Sequence, residues 1–111
     1  MTKAKPVPVV WAENGGPPVA GSAVLGLERL RLDGGSRGDP RSREIRLADV
    51  VSVHIGRRPL ERVGGRAAVQ LALADGTIVA VASLAATMLH ELAELLWAAT
   101  GTRPDPEPDT A

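Results

Sequence analysis

Only one segment of this sequence, from Leu84 to about Thr100, repeats its apolar residues with the period of an α-helix. The remaining apolar residues mostly occur in short runs that alternate with polar ones, as in β-strands that bury one face. Glycine, proline, aspartate and asparagine separate these runs and predict turns. We therefore expect a β-rich domain closed by a single C-terminal helix. A chain of 111 residues is long enough for one such domain with its own core.

The alternating runs predict seven short strands. Pro6 to Trp11 contains two prolines, which cannot donate to a β-ladder, so we expect this strand at a sheet edge. Apolar residues change parity within Val19–Leu32, which predicts a hairpin turn or bulge at Gly26–Arg29. Asp75-Gly76 predicts a tight turn before the last strand. The residues expected to face inward on the later strands are Ile45, Leu47, Val51, Val53, Ile55, Val69, Leu71 and Leu73.

Two polar segments rich in arginine, residues 33–42 and 57–66, are expected to be loops. Between Glu28 and Arg66 the chain carries ten arginines and six acidic residues, although its formal net charge is zero. A neutral chain has no built-in long-range attraction to DNA or to an anionic membrane. Any binding of anions must therefore depend on local groups of arginines.

The helical segment has a wider apolar surface than a single buried stripe requires. The predicted stripe consists of Leu84, Met88, Leu92, Leu95, Leu96 and Ala99. A second line, Leu89, Ala93 and Trp97, repeats every four residues, so its members are neighbours on the helix surface. We expect this line to form an interface with a second copy or a partner protein. The alternative is burial within the chain, under the strand that contains Trp11.

The folded domain is expected to span residues 6–100, between a disordered start at 1–5 and a disordered, acidic, proline-rich tail at 101–111. Ser83 is a suitable N-cap for the helix, and Gly101 suits the left-handed position that ends it. The sequence contains no cysteine, no apolar run of signal-peptide length and no stretch that could cross a bilayer. These features favour a cytoplasmic protein.

Two local patterns resemble those of the pleckstrin-homology (PH) superfold, in its bacterial PH and GRAM-like branch. Residues 21–32, GSAVLGLERLRL, are similar to the hairpin pattern G-x-hydrophobic-L-T-x-x-R-L of that branch. Residues 44–53, EIRLADVVSV, are similar to its strand-pair pattern I-P-L-x-D-I-x-x-V. The resemblance covers roughly residues 19–99. It implies a seven-stranded antiparallel bent sheet, or partly open barrel, capped by one C-terminal α-helix.

The resemblance also implies where a ligand would bind. PH-fold lipid sites use basic loops at the open end of the barrel. If the strands follow one another in an up-and-down meander, the loop that carries Arg37, Arg41 and Arg43 lies at that end. These three arginines are the candidate ligand-binding residues for an anionic lipid or a phosphate group.

Motifs of catalytic or metal chemistry are incomplete in this chain. Residues 34–38 match the nucleophile-elbow pattern G-x-S-x-G, but Ser36 is followed by a predicted strand where that mechanism needs a helix. His90-Glu91 begins the zinc-protease pattern H-E-x-x-H, but Glu94 stands in place of the second histidine. His54 is expected on the outer face of its strand. We therefore predict no catalytic residue, no metal site and no cofactor.

The sequence predicts a non-enzymatic interaction module that mediates protein–protein contacts, self-association among them. The alternative is a peripheral binder of anionic lipid headgroups or phosphate ligands, which would lie at the membrane surface. The only aromatic residues are Trp11 and Trp97, which disfavours nucleic-acid binding by base stacking.

Overall fold

A computed structural model describes residues 6–85 and 89–101 of the chain. Strands and one helix make up most of this part, with single 3-10 turns at Leu47–Asp49 and Pro59–Glu61. The elements are β1 (Val7–Glu13), β2 (Val19–Leu25), β3 (Arg29–Ser36), β4 (Asp39–Arg46), β5 (Val50–Gly56), β6 (Ala68–Leu73), β7 (Ile78–Ser83) and α1 (Leu89–Thr100). The predicted disordered ends, beyond Pro6 and Gly101, lie outside the described residues.

The seven strands form one bent antiparallel sheet in the order β4-β3-β2-β1-β7-β6-β5. Strands β4 and β5 are its two edges and do not pair with each other in the described residues, so the sheet does not close. This arrangement, with the single C-terminal helix, confirms the predicted fold class. The predicted turns are also confirmed: Gly26 N–H bonds the Arg29 carbonyl at 2.8 Å, and Gly76 takes a φ of 90°.

The first strand lies in the middle of the sheet, so its predicted edge position was wrong. Strand β1 pairs with β2 on one side and with β7 on the other. Pairing with β7 begins only at Val9, one residue after Pro8. Proline is tolerated here because the neighbouring ladder starts beyond the residue that lacks an N–H.

Most of the segment 33–42 is strand and not the predicted loop, because β3 continues to Ser36 and β4 starts at Asp39. Glycine makes this possible. Gly21 of β2 pairs with Gly34 of β3, and a Cβ on Gly34 would lie 2.4 Å from the Ala20 carbonyl oxygen. The two backbones therefore approach more closely than any side chain would allow.

A change of register at the start of β5 reverses which of its residues face the core. The pairing with β6 shifts between Val50 and Ser52, as at a β-bulge. Val50 is consequently buried and Val51 is exposed, whereas Val51 was predicted to face inward. Val53 faces the core as predicted.

The main core lies between the concave face of the sheet and α1. Its most deeply buried side chains are Leu30, Leu32, Leu71, Leu96, Val9, Val53, Val69, Val79 and Val81. The helix contacts β5, β6, β7 and the 3-10 turn before β5. Trp11 belongs to the same core, and its indole N–H donates to the Asp33 carbonyl at 3.3 Å.

The buried face of the helix is rotated from the predicted stripe. Leu92 and Leu96 are buried as expected, but Leu95 is 54% exposed and Ala99 is exposed. Leu84 is exposed in a bend before the helix, and Met88 lies outside the described residues. The buried residues of the helix are thus Leu89, Leu92, Ala93 and Leu96, and not the full stripe that the spacing of apolar residues predicted.

The two predicted ends of the helix have different outcomes. Gly101 takes a φ of 69°, and its N–H bonds the Trp97 carbonyl at 2.9 Å, which confirms the predicted end. Ser83 is the last residue of β7, and its hydroxyl accepts from the Ala85 N–H at 3.1 Å. Ser83 therefore closes a local turn at the end of β7. Residues 86–88, just before Leu89, lie outside the described residues.

Candidate binding cleft

The segment between β5 and β6, residues 57–67, folds across the convex face of the sheet, and we name it the covering loop. Its buried contact is Val63, which packs into a second, small core. The other buried members of that core are Ala12, Ala68 and Ala82, on β1, β6 and β7. Alanine at these outward positions leaves room for a loop to lie directly on the sheet.

Hydrogen bonds hold the covering loop in one conformation. Val63 and Arg66 exchange backbone bonds of 2.9 and 3.0 Å across a turn at Gly64-Gly65. Both glycines take positive φ, 56° and 78°, as a tight two-residue turn requires. Gln70, buried on β6, donates its side-chain N–H to the Glu61 carbonyl at 2.7 Å.

The Glu61 carboxylate is a second anchor of the covering loop. One of its oxygens lies 3.1 Å from Nε2 of His54 on β5, and the other accepts from the Arg58 backbone N–H at 3.3 Å. The hydrogen bond with His54 is the main cause that lowers the pKa of Glu61. His54 is exposed on the outer face of β5, as predicted.

A cleft of about 590 Å³ opens between the covering loop, the convex face of the sheet and the β1–β2 turn. Its floor includes the small side chains of Ala12, Ala72 and Ala80. The β1–β2 turn is fixed by Asn14, whose side-chain oxygen accepts from the Ile78 N–H at 2.9 Å. The cleft is therefore bounded by ordered backbone on each of these sides.

Exposed apolar side chains lie among the residues that line the cleft. Leu60, on the 3-10 turn of the covering loop, is 98% exposed, and Ile78 on β7 is 46% exposed. Both residues line the cleft, together with Pro18 and Pro59. Large apolar side chains that are exposed beside a concave surface are typical of binding sites.

The covering loop is strongly cationic. Arg57, Arg58, Arg62 and Arg66 are all exposed, and Glu61 is the one acid in residues 57–67. None of the four arginines forms an ion pair with another residue of the described ranges. Nε of Arg62 donates to the Arg57 carbonyl at 3.0 Å.

The predicted ligand-binding arginines lie near one another at a different place, the β3–β4 hairpin. Arg37 is in the turn, whereas Arg41 and Arg43 are on strand β4 and not in a loop. Arg41 forms an ion pair with Asp39 at 3.2 Å, and Nε of Arg43 lies 3.6 Å from Glu13. Two of the three charges are thus already balanced within the chain.

The predicted interface line of the helix faces the core of the same chain. Leu89 and Ala93 are buried against the sheet, and Trp97 is half-buried. The Trp97 indole N–H donates to the Val53 carbonyl at 2.7 Å. These contacts correspond to the internal alternative, although the strand that Trp97 contacts is β5 and not the strand of Trp11.

The incomplete chemical motifs are not completed by the fold of the described residues. The Ser36 hydroxyl accepts from the Asp39 N–H at 3.2 Å in an exposed hairpin turn. His90 lies 3.5 Å from a guanidinium nitrogen of Arg57. No group of three or more histidine, cysteine, aspartate or glutamate side chains in the described ranges could hold a metal ion.

The cleft itself was not predicted from the sequence. Its floor includes alanines of β1, β6 and β7, and β1 is distant along the chain from the other two. Its wall depends on Val63. The sequence signal is Val63, which precedes two glycines in a segment that is mostly polar apart from Pro59 and Leu60. That pattern is typical of a loop that tucks one apolar side chain under itself.

Comparison with known proteins identifies the fold. No protein-family model and no curated protein matches the sequence. Among solved structures, the pleckstrin homology (PH) domain of USP37 is similar, with a TM-score of 0.54 and 16% identity over 88% of this chain and 96% of that one. In the ranges described, no helix is long and apolar enough to cross a membrane. A bent seven-stranded sheet with one C-terminal helix, together with this likeness, shows that the chain has a PH-like fold.

Proposed function

We propose that this chain is a non-enzymatic interaction module that binds a segment of another protein in the cleft under the covering loop. The observation that carries the proposal is Leu60, almost fully exposed at the mouth of a 590 Å³ cleft with an alanine floor. An exposed leucine in this position gains free energy when a partner buries it. The fixed backbone of the loop lowers the entropic cost of binding.

The fold and the chemistry of the described residues support a module without catalysis. PH-like domains commonly serve as interaction modules. Ser36, the residue nearest to a nucleophile motif, is exposed and bonded to a backbone N–H, with no hydrogen bond to a histidine of the described ranges. The patterns at residues 21–32 and 44–53 favour the bacterial PH and GRAM-like branch, and a cysteine-free chain suits the cytoplasm.

Filling the cleft tests this proposal. Ala80→Leu enlarges a floor residue, and Ala20→Leu makes the same change at an exposed position of β2 outside the cleft. Tagged wild-type and variant chains are used to capture partners from the native host, and the bound proteins are quantified. We expect the captured partner to be lost with Ala80→Leu and kept with Ala20→Leu. Equal capture by both variants, at equal melting temperature, contradicts the cleft as the contact surface.

A second candidate function is peripheral binding of anionic lipid headgroups or phosphate through the β3–β4 hairpin. It is favoured by Arg37, which has no ion pair in the described residues, and is weakened by the acids beside Arg41 and Arg43. Sedimentation with phosphatidylserine vesicles tests it. Binding that falls steeply with salt and is lost in Arg37→Gln supports this function. No binding at low salt excludes it.

Self-association is a further form of the proposed protein binding, with a second copy as the partner. The candidate interface line of Leu89, Ala93 and Trp97 already contacts the sheet, so a dimer would use exposed residues such as Leu95. Sedimentation velocity over a range of concentrations tests this form directly. A single species of monomer mass at the highest concentration excludes it.

A further inference from the structure

We infer that the cleft binds an extended protein segment in which acidic residues flank an aliphatic one. This inference rests on the proposed function, since it names the partner of the same cleft. It combines two features of the covering loop: an apolar mouth at Leu60 and an excess of arginine around it.

The covering loop carries more positive charge than Glu61, its one acid, can balance. Arg58 and Arg62 flank the 3-10 turn Pro59–Glu61, which lines the cleft. Both are exposed, and neither forms an ion pair in the described residues. The acid between them, Glu61, bonds His54 and the Arg58 backbone and attracts the Arg58 side chain, so Arg62 is the less compensated of the two arginines. A carboxylate from a ligand would therefore meet guanidinium groups that have free donors.

The position of the charge relative to the cleft favours a peptide. Arg62 itself lines the cleft, and its Nε bond to the Arg57 carbonyl orders the side chain at the edge. Beneath it the sheet supplies the small apolar side chains of Ala12, Ala72 and Ala80, with the polar side chains of Gln70 and His54 beside them. One aliphatic side chain can fill this space while neighbouring carboxylates reach the arginines.

The same geometry disfavours other anionic partners. A nucleic acid or a lone phosphate would satisfy the arginines but leave Leu60 and Ile78 in water. A membrane surface is flat, whereas the apolar floor of the cleft is recessed below the covering loop. A protein segment is the one ligand class that matches both the charged and the recessed apolar parts.

Peptide selection followed by affinity measurement tests the inference. A displayed library of random dodecapeptides is selected on the immobilised wild-type domain, and the enriched peptides are labelled for fluorescence anisotropy. We expect enriched peptides with net negative charge and at least one aliphatic residue. Their binding should weaken by about tenfold or more in the double variant Arg58→Gln/Arg62→Gln, which loses two charged donors. Ala80→Leu should abolish it.

The matched control removes two arginines that do not line the cleft. Arg31 and Arg46 are also exposed, so Arg31→Gln/Arg46→Gln changes the net charge equally. We expect this variant to bind the enriched peptides within about twofold of the wild type at physiological salt, since neither residue lines the cleft and salt screens exposed charges. An equal loss in both double variants would mean non-specific attraction and would overturn the inference.

The outcomes separate the inference from the proposed function. Enriched peptides that are neutral or basic, and that lose binding only in Ala80→Leu, overturn the acidic partner and leave the cleft as a protein-binding site. No enriched peptide, or binding unaffected by Ala80→Leu, overturns both. Binding to phosphatidylserine vesicles that depends on Arg58 and Arg62, without peptide binding, also overturns both and assigns these arginines to a membrane surface.

Discussion

Two adjacent leucines of the helix provide a direct test of how it packs. Leu96 has none of its surface exposed, whereas Leu95 is 54% exposed. Replacing a fully buried leucine by alanine costs about 2–5 kcal/mol, because the cavity adds to the lost transfer free energy. The same change at Leu95 removes side-chain atoms that are half in water, and the higher helix propensity of alanine offsets part of the loss. We therefore expect a loss below about 1 kcal/mol for Leu95→Ala.

Urea unfolding followed by tryptophan fluorescence measures both variants. Trp11 in the core and Trp97 on the helix are expected to report the same transition if unfolding is two-state. The midpoint should fall strongly in Leu96→Ala and little in Leu95→Ala, with the same slope against urea in both. In a thermal scan, a loss of 2 kcal/mol or more corresponds to a melting temperature lower by at least about 8 °C.

The sequence pattern alone places Leu95 and Leu96 on one stripe, so it predicts similar losses. Similar losses in the two variants, or a larger loss in Leu95→Ala, would refute the helix orientation described here. A loss of helical circular dichroism in either variant before denaturant is added would show that the comparison reports helix formation and not packing.

Three further perturbations test other parts of the structure. Gly34→Ala should destabilise the fold by about 2 kcal/mol or more, because its Cβ would lie 2.4 Å from a backbone oxygen, and urea unfolding measures the loss. Trp97→Ala should lower the melting temperature without changing the mass in sedimentation, since the indole is held within the chain; a fall in mass would indicate an interface. The lowered pKa of Glu61 means that its bond to His54 stabilises the covering loop above the ordinary glutamate pKa of 4.5 and is lost as the pH falls below it. Amide exchange in the loop should therefore lose protection in acid, and a Glu61→Gln variant should lack this dependence.

The parts of the fold that local residues determine could be predicted from the sequence. Asp75-Gly76 requires a tight turn, and Gly101 ends a helix, whatever surrounds them. The alternation of Val69, Leu71 and Leu73 identifies a strand with one face in the core, which all three occupy. These features depend on backbone preferences and on a period of two, and both act over a few residues.

Features that depend on distant contacts could not be predicted. The bulge between Val50 and Ser52 reverses which residue faces inward, and no local pattern marks it. The long β3–β4 hairpin depends on Gly21 and Gly34 meeting across strands, while each glycine alone suggests a loop. The helix faces the sheet along Leu89 and Ala93, and this orientation depends on packing against three strands, which the period of the helix alone does not determine.

The open form of the sheet has a consequence for association between copies. A sheet that does not close leaves β4 and β5 with backbone groups that could template a strand from another molecule. On β4, Pro40 removes one donor. On β5, the Val53 carbonyl already accepts a hydrogen bond from the Trp97 indole, which keeps the helix against that strand. Both edges thus carry a feature that opposes strand-by-strand polymerisation.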